Sequence, residues 1–258
     1  MNKSTLLSAI VLACALTGCA TSGNTANSVA EMAKVNNYPG MITYYKAALQ
    51  QQPDDADIMQ KLAEVYYQSG DLESAGFYVD HLQAQGEATP ALLVLAGHID
   101  DAKGDFTGAL SAFEQAAKQG DNSAALNISQ GIVLGKLGRF ADAEDQFNQA
   151  RLKGFDDIAI KNNLAVLYLA QGQFQRVVEM LMPVYTQADF NVKDHQTLAV
   201  NLAIALIKLG DDKQAYGILK GMYNDEQLAV LFRQVKNMTV LPAQQTVLPA
   251  QGDHHDAP

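Results

Sequence analysis

Large apolar residues recur along this chain with a period of about 34 residues, interrupted by one longer interval near the end of the series. The clearest column of them holds Tyr45, Val79, Phe113, Phe147, Leu181 and Leu219. A column of mostly small residues precedes it: Val29, Ala63, Gly97, Gly131, Ala165 and Ala203. The pattern predicts six repeated units, each made of two helices that cross closely at the small residue. The large side chain then fills the space between the two helices.

Glycines mark the break between the two helices of each unit. Gly70, Gly104, Gly138 and Gly172 are evenly spaced with the same period, Asn36 extends the series backwards, and Gly210 follows after the longer interval. The residue just after a helix commonly adopts a positive φ, which favours glycine, so we expect each to end the first helix of its unit. The extra residues of the longer interval are placed most simply in a loop within residues 187–194.

The agreement of these columns over six units resembles the tetratricopeptide-repeat family across roughly residues 22–229. The resemblance implies an all-α solenoid of about six helix-turn-helix units that presents a long surface to a protein partner. We expect it to span residues 28–238, with a weak first unit and a capping helix over residues 226–238. Residues 239–258, which contain Leu-Pro-Ala-Gln twice, are predicted to be a disordered tail.

The N-terminal residues do not follow the repeat and have a pattern of their own. An apolar run over residues 6–16 is too short for a permanent membrane span and is typical of a secretory signal over residues 1–18. The run ends in Leu-Thr-Gly-Cys, which resembles the bacterial lipobox and implies that Cys19 is lipidated after cleavage. An ordinary cleaved signal with an incidental cysteine is the alternative.

The residue after this cysteine is Ala20 rather than aspartate. Under the lipoprotein sorting rule of Gram-negative bacteria, this implies an outer-membrane lipoprotein that faces the periplasm. Residues 19–27 would then form a lipidated tether, and the protein would contact the membrane through its N-terminal acyl chains, since two or more chains anchor stably.

Charge and composition narrow the possible partners. The formal net charge of −10 disfavours nucleic acid and anionic lipid headgroups as ligands. The histidines share no carboxylate or cysteine at ligand spacing, and the glycines have no phosphate-binding spacing. We therefore expect a protein that is not an enzyme, with no catalytic residues, metal, cofactor or small-molecule substrate.

The family resemblance implies that the first helix of each unit lines a concave groove. Apolar residues, with one asparagine, dominate its later units: Val94, Ile128, Ile132, Asn162, Val166, Leu169, Val200, Ile204 and Ile207. Such a groove suits a hydrophobic or amphipathic helix of a protein partner. Only Asn162, Lys136 and Lys208 could bind a peptide carboxylate there, so a carboxylate clamp is disfavoured. The alternative is that curvature or the C-terminal helix buries these apolar residues.

The combination of lipobox, repeats and terminal helix resembles the repeat lipoproteins of tight-adherence (Flp) pilus assembly. Residues 163–168 and 201–206 carry the most telling repeat segments, Asn-Leu-Ala-Val-Leu-Tyr and Asn-Leu-Ala-Ile-Ala-Leu. The resemblance implies an assembly factor that binds a secretin or other pilus components. A pilotin of type IV pili and a scaffold lipoprotein of the outer-membrane barrel-assembly machinery or cell envelope are the alternatives.

Overall fold

A computed structural model describes residues 22–187, 191 and 195–239. Across these ranges the chain forms thirteen α-helices and no β-strand, which confirms the predicted all-α repeat solenoid. The odd-numbered helices are α1 (Ser22–Lys34), α3 (Ala56–Ser69), α5 (Pro90–Lys103), α7 (Ala124–Lys136), α9 (Asp157–Ala170), α11 (Gln196–Leu209) and α13 (Asp225–Asn237). The even-numbered helices are α2 (Tyr38–Gln51), α4 (Leu72–Ala84), α6 (Phe106–Lys118), α8 (Phe140–Leu152), α10 (Phe174–Tyr185) and α12 (Asp212–Leu219).

The turn inside each unit is closed by the residue that the sequence predicts. The five glycines of the first series have φ between 73° and 87°, and Asn36, the residue before them in the series, has φ 52°. A second series, Gly86, Gly120 and Gly154, also has positive φ and follows the second helices of three successive units. Its members have the same spacing as the first series, so the chain marks both ends of its repeat with the same backbone geometry.

Within a unit, the two helices meet where a large side chain lies against a small residue. A Cβ atom added to Gly97 would lie 2.5 Å from Cε1 of Phe113, and one added to Gly131 would lie 2.5 Å from Cε1 of Phe147. Where valine or leucine replaces phenylalanine, the facing residue is alanine: Ala63 with Val79, Ala165 with Leu181, and Ala203 with Leu219. In the second to sixth units, the two columns therefore vary together in volume, as close packing requires.

The helices stack so that one row is on the inner side of a curve. From α3 to α11, successive odd-numbered helices contact each other as well as their even-numbered neighbours. The odd-numbered row is therefore the shorter, concave row. The final helix α13 packs against α11, burying Leu228 and Val235, as expected for a cap. Its first turn is closed by a reciprocal pair of hydrogen bonds between Asn224 and Gln227.

The first unit begins with helix α1. This helix starts at Ser22, within the predicted tether, and packs against α2. Cys19 and the rest of residues 1–21 lie outside the described residues. So do residues 240–258 of the predicted tail. Helix α10 ends at Tyr185 and α11 begins at Gln196, but residues 188–190 and 192–194 of the predicted loop are also outside the described ranges.

Candidate partner-binding groove

The concave surface is the solvent-facing side of α3, α5, α7, α9 and α11. Two of the residues predicted to bind a partner are exposed on adjacent helices: Ile132 on α7 is 36% exposed and Val166 on α9 is 54% exposed. Five others are half-buried: Val94, Ile128, Asn162, Val200 and Ile204. The concave surface is thus most accessible, among these positions, between α7 and α9.

Leu169 and Ile207 do not lie on the surface, contrary to the sequence prediction. Leu169 is 9% exposed and Ile207 is 2% exposed, and both belong to the continuous hydrophobic core of the later units. They occupy the same position in successive units, where α11 packs against α9 and α13 closes the stack. Their contribution is to stability, since a buried side chain offers no surface to a partner.

An apolar pocket of about 340 Å³ opens on the concave surface between α7 and α9. The exposed Ile132 and Val166 line it together with the buried rings of Phe140 and Phe147 and the side chain of Leu167. Its size lies at the lower end of the range in which proteins bind small groups, and its lining is predominantly hydrophobic. The pocket can receive one or two apolar side chains of a partner.

Gly135 explains why the pocket forms between these two helices. A Cβ atom at this position would lie 3.1 Å from Cδ1 of Leu167 on α9, so a larger residue here would require Leu167 to move. The equivalent positions hold Asp101 one unit earlier and Leu169 and Ile207 in the next two units. A side chain of that size at residue 135 would fill part of the pocket, and its absence leaves the apolar floor open to solvent.

Several polar groups of the concave surface have partners within the chain. Lys136 Nζ lies 2.6 Å from a carboxylate oxygen of Asp101. Asn201 Nδ2 donates a hydrogen bond of 3.1 Å to Asn162 Oδ1. These contacts join α5 to α7 and α9 to α11, on either side of the pocket.

Lys208, the third candidate for a carboxylate clamp, is also engaged. Its Nζ donates a hydrogen bond of 2.8 Å to the carbonyl oxygen of Met238, just after the capping helix. It also lies 5.6 Å from the centre of the Phe174 ring. Both lysines are therefore committed to intramolecular contacts, and Asn162 accepts a hydrogen bond through Oδ1, so the arrangement favours an apolar ligand over a peptide carboxylate.

The N-terminal part of the concave surface is more polar. Gln60 donates to Glu64 at 3.0 Å on α3. On α5, His98 occupies the position equivalent to Ile132 and Val166, where its ring is 6.1 Å from that of Tyr67 and 5.1 Å from that of Phe113. Burial lowers the pKa of His98, because the charged imidazolium loses hydration, while Asp101 acts in the opposite direction.

An aromatic cluster on α3 and α4 was missed by the sequence reasoning. Phe77 is 64% exposed, packs edge-on against Tyr78 and stacks on His81. Tyr78 in turn stacks on Tyr66, whose ring lies below Lys46 Nζ. Phe77 could have revealed the cluster in the sequence, because it is a large apolar residue at a position where the next three units hold a serine, an aspartate and a glutamate.

A buried tyrosine ties three helices together behind the pocket. Tyr168 on α9 donates its hydroxyl hydrogen bond to Glu144 on α8 at 2.7 Å, and Arg176 on α10 pairs with the same carboxylate at 2.7 Å. Desolvation, and then the hydrogen bond to the carboxylate, raise the pKa of Tyr168. The hydroxyl therefore stays protonated as a structural donor that fixes α9.

Within the described part of the chain, no helix is both long and apolar enough to span a membrane.

Comparison with known sequences gives a consistent assignment. A tetratricopeptide-repeat profile matches residues 37–99, and a second profile of the same repeat matches residues 94–155 and 128–176. Together these matches span more than half of the 258 residues. No curated protein matches the chain in sequence.

Solved structures share the fold at low sequence identity. PilW, a type IV pilus biogenesis factor, superimposes with a TM-score of 0.69 at 16% identity, covering 82% of this chain and 99% of PilW. A tetratricopeptide-repeat protein from Parabacteroides merdae gives 0.64 at 18% identity, covering 84% of this chain and 86% of that protein. A thermophilic repeat protein of Thermus thermophilus gives 0.55 at 22% identity, covering 72% and 98%. At these identities the likeness is one of fold alone.

Proposed function

The chain belongs to the tetratricopeptide-repeat family, and from this premise we propose that it is a non-enzymatic scaffold that binds a protein partner in the pocket between α7 and α9. The observation that carries the proposal is the exposure of Ile132 and Val166 beside an open apolar pocket on the concave surface. Exposed apolar surface of this kind commonly marks an interaction site.

The chemistry of the pocket favours a hydrophobic or amphipathic helix as the bound element. Such a helix presents apolar side chains at three- and four-residue steps, which can enter a groove between two parallel helices. A carboxylate bound by Lys136 would compete with the ion pair between Lys136 and Asp101. Breaking that pair leaves Asp101 without its partner, which costs free energy.

We propose further that the protein acts at the outer membrane, lipidated at Cys19 and facing the periplasm, in the assembly of a tight-adherence pilus or the placement of its secretin. The lipobox-like N-terminus and Ala20 support the location. The repeats and terminal helix support the role through their resemblance to TadD, the repeat lipoprotein of that machinery. The similarity to PilW supports a fold shared with a pilus biogenesis factor. A type IV pilotin is therefore the alternative among pilus-assembly proteins.

The partner experiment uses crosslinked pull-down of the full-length protein from its own membranes. We expect a secretin to co-purify with the wild type and to be lost with Ile132→Asp plus Val166→Asp. The matched control is Leu152→Asp, because Leu152 is 80% exposed on α8, outside the concave row. Equal secretin recovery from both variants would remove the pocket from the interaction.

The two rival cellular roles give different results in a strain that lacks the protein. Loss of pili and surface adhesion with normal levels of outer-membrane proteins fits the pilus role. A general fall in outer-membrane proteins would instead identify a scaffold of barrel assembly. Recovery of a type IV rather than a tight-adherence secretin in the pull-down would identify a pilotin.

Lipidation is tested separately. We expect metabolic labelling with palmitate to mark the wild type and to leave Cys19→Ser unlabelled and released from the membrane fraction. Cys14→Ser is the matched control and should remain labelled, because the predicted signal removes residue 14. Equal labelling of Cys19→Ser would contradict the anchor.

A further inference from the structure

The chain after α13 contains one hexapeptide twice. Residues 239–244 and 246–251 both read Thr-Val-Leu-Pro-Ala-Gln, separated by a single glutamine. Neither copy contains a charged residue, although the chain as a whole is 18% charged. A spacer requires only length and solubility, so a repeated apolar order of residues points to a segment that is recognised.

This segment leaves the solenoid on the concave side. The carbonyl oxygen of Met238, the residue before the first copy, accepts the 2.8 Å hydrogen bond from Lys208 Nζ. Lys208 lies on α11 at the position equivalent to Lys136 on α7 and Ala170 on α9, and both of these residues line the apolar pocket. The start of the repeat and the pocket are therefore at the same level along the helix axes.

The lengths assign one copy to the pocket. Packed helices lie about 8–10 Å apart, so the pocket between α7 and α9 is about 10–20 Å from Lys208 on α11. An extended chain spans at most about 3.3–3.6 Å per residue, which gives about 10 Å from Met238 to Leu241 and about 33 Å to Leu248. Leu241 falls short of the far side of the pocket, whereas Leu248 reaches it with length to spare.

The apolar character of the segment also matches that of the pocket. The pocket is lined by Ile132, Val166 and buried aromatic rings, and Lys136 at its edge is paired with Asp101. A neutral Leu-Pro step offers an apolar side chain with no charge to bury. The proline also removes one backbone donor that would otherwise need a partner.

We propose that the second hexapeptide, residues 246–251, docks back on its own solenoid with Leu248 in the pocket between α7 and α9. The docking itself requires no partner protein. If the pocket is the partner site, as the proposed function states, the docked segment occupies that site and must leave before a partner helix can bind. Because the segment is tethered, its effective concentration is about millimolar, so even weak docking competes.

Disulfide trapping in the full chain tests this directly. Cys14 and Cys19 are the only native cysteines, so both are replaced by serine. Gln251→Cys is then combined with Val166→Cys at the pocket or, as a control, with Leu152→Cys on α8. Leu152 is the more exposed of the two positions, so greater solvent access cannot explain a faster reaction at Val166. The initial rate of intramolecular disulfide formation is measured at low protein concentration by mass spectrometry.

We expect the Val166 pair to crosslink about tenfold faster than the Leu152 pair, because docking raises the local thiol concentration. Adding Leu248→Asp should reduce the Val166 rate to the control rate, and Leu248→Met should retain it. Equal rates for the two pairs would overturn the proposal. So would disulfide-linked dimers in place of intramolecular bonds, since they would identify a second copy of the chain as the occupant.

The result is independent of the partner experiment. Equal crosslinking rates combined with secretin capture that depends on Ile132 and Val166 would reject the docked segment and retain the proposed function. Fast crosslinking at Val166 without any secretin capture would retain the docked segment and reject the proposed function.

Discussion

Two parts of the concave surface carry similar apolar residues and use them differently. Between α7 and α9, Ile132 and Val166 are exposed beside an open pocket. On α11, Val200 and Ile204 are half-buried and Ile207 is fully buried. The difference comes from what lies next to each helix: α11 is packed by both α9 and α13, whereas the pocket between α7 and α9 is lined by Gly135, which has no side chain to fill it.

The position of a residue in the repeat determines which way its side chain points. It does not determine how much of that side chain is exposed to solvent. An apolar residue at a groove position becomes a contact surface only where the neighbouring helix leaves room. In this chain an apolar pocket opens the middle of the surface and one capping helix closes its end. Substitutions in the two parts should therefore have opposite consequences, large for stability at the end and large for binding in the middle.

The largest expected effect is on the core behind the pocket. Phe147 is 2% exposed and packs against Gly131, so Phe147→Ala should lower the free energy of unfolding by about 3–5 kcal/mol. Urea denaturation followed by circular dichroism measures the loss. An unchanged midpoint would contradict the assignment of Phe147 to the space between α7 and α8.

The next effect separates the two parts of the surface directly. Ile207→Ala should cost about 2–5 kcal/mol, because it removes a fully buried side chain. Ile132→Ala, at a surface position, should cost less than about 1 kcal/mol. The two variants carry the same chemical change and are compared in the same denaturation experiment. Equal losses would show that Ile132 is core and that the pocket is not a free surface.

A smaller effect tests the complementarity of the two packing columns. Gly131→Ala places a Cβ atom within 2.5 Å of the Phe147 ring, and overpacking of this kind costs about 1–3 kcal/mol. The double variant Gly131→Ala plus Phe147→Leu reproduces the native pair of Ala165 and Leu181. A double-mutant cycle should therefore show a favourable coupling free energy, and simple additivity would contradict the pairing.

The smallest effect concerns the polar end of the surface. The folded-state pKa of His98 lies below its ordinary value of 6.5, mainly because of burial. The unfolded chain then binds more protons than the folded chain as the pH falls through about 6.5, so folding stability decreases on acidification. Thermal melting at pH 7.5 and pH 5 should show a smaller decrease for His98→Gln than for the wild type. Equal decreases in melting temperature for the two proteins would show that groups other than His98 cause the loss of stability at low pH.

The repeat columns were sufficient to predict the fold. The positions of Gly70 and its equivalents, and the large residue opposite the small one, are local rules that every unit repeats. The same reasoning overlooked Gly86, Gly120 and Gly154, although their spacing was equally regular. This second series follows the second helices of three successive units.

The binding surface was less predictable, because exposure depends on neighbours that are distant in sequence. Leu169 and Ile207 were placed on the surface by their column, yet the stacking of α9, α11 and α13 buries them. Lys136 was a possible carboxylate ligand until its contact with Asp101, 35 residues away, was seen. Gly135 could have indicated the pocket, since it is the one glycine among otherwise larger residues at that position in the later units.

Site-specific photocrosslinking in living cells tests the central claim most directly. A photoreactive phenylalanine analogue replaces Val166 at the pocket or Leu152 on α8 in the full-length protein, expressed at its native level. The pocket account predicts a crosslinked adduct with a secretin from position 166 and none from position 152. An adduct from position 152 with none from position 166 would place the partner on the opposite side of the solenoid and contradict the account.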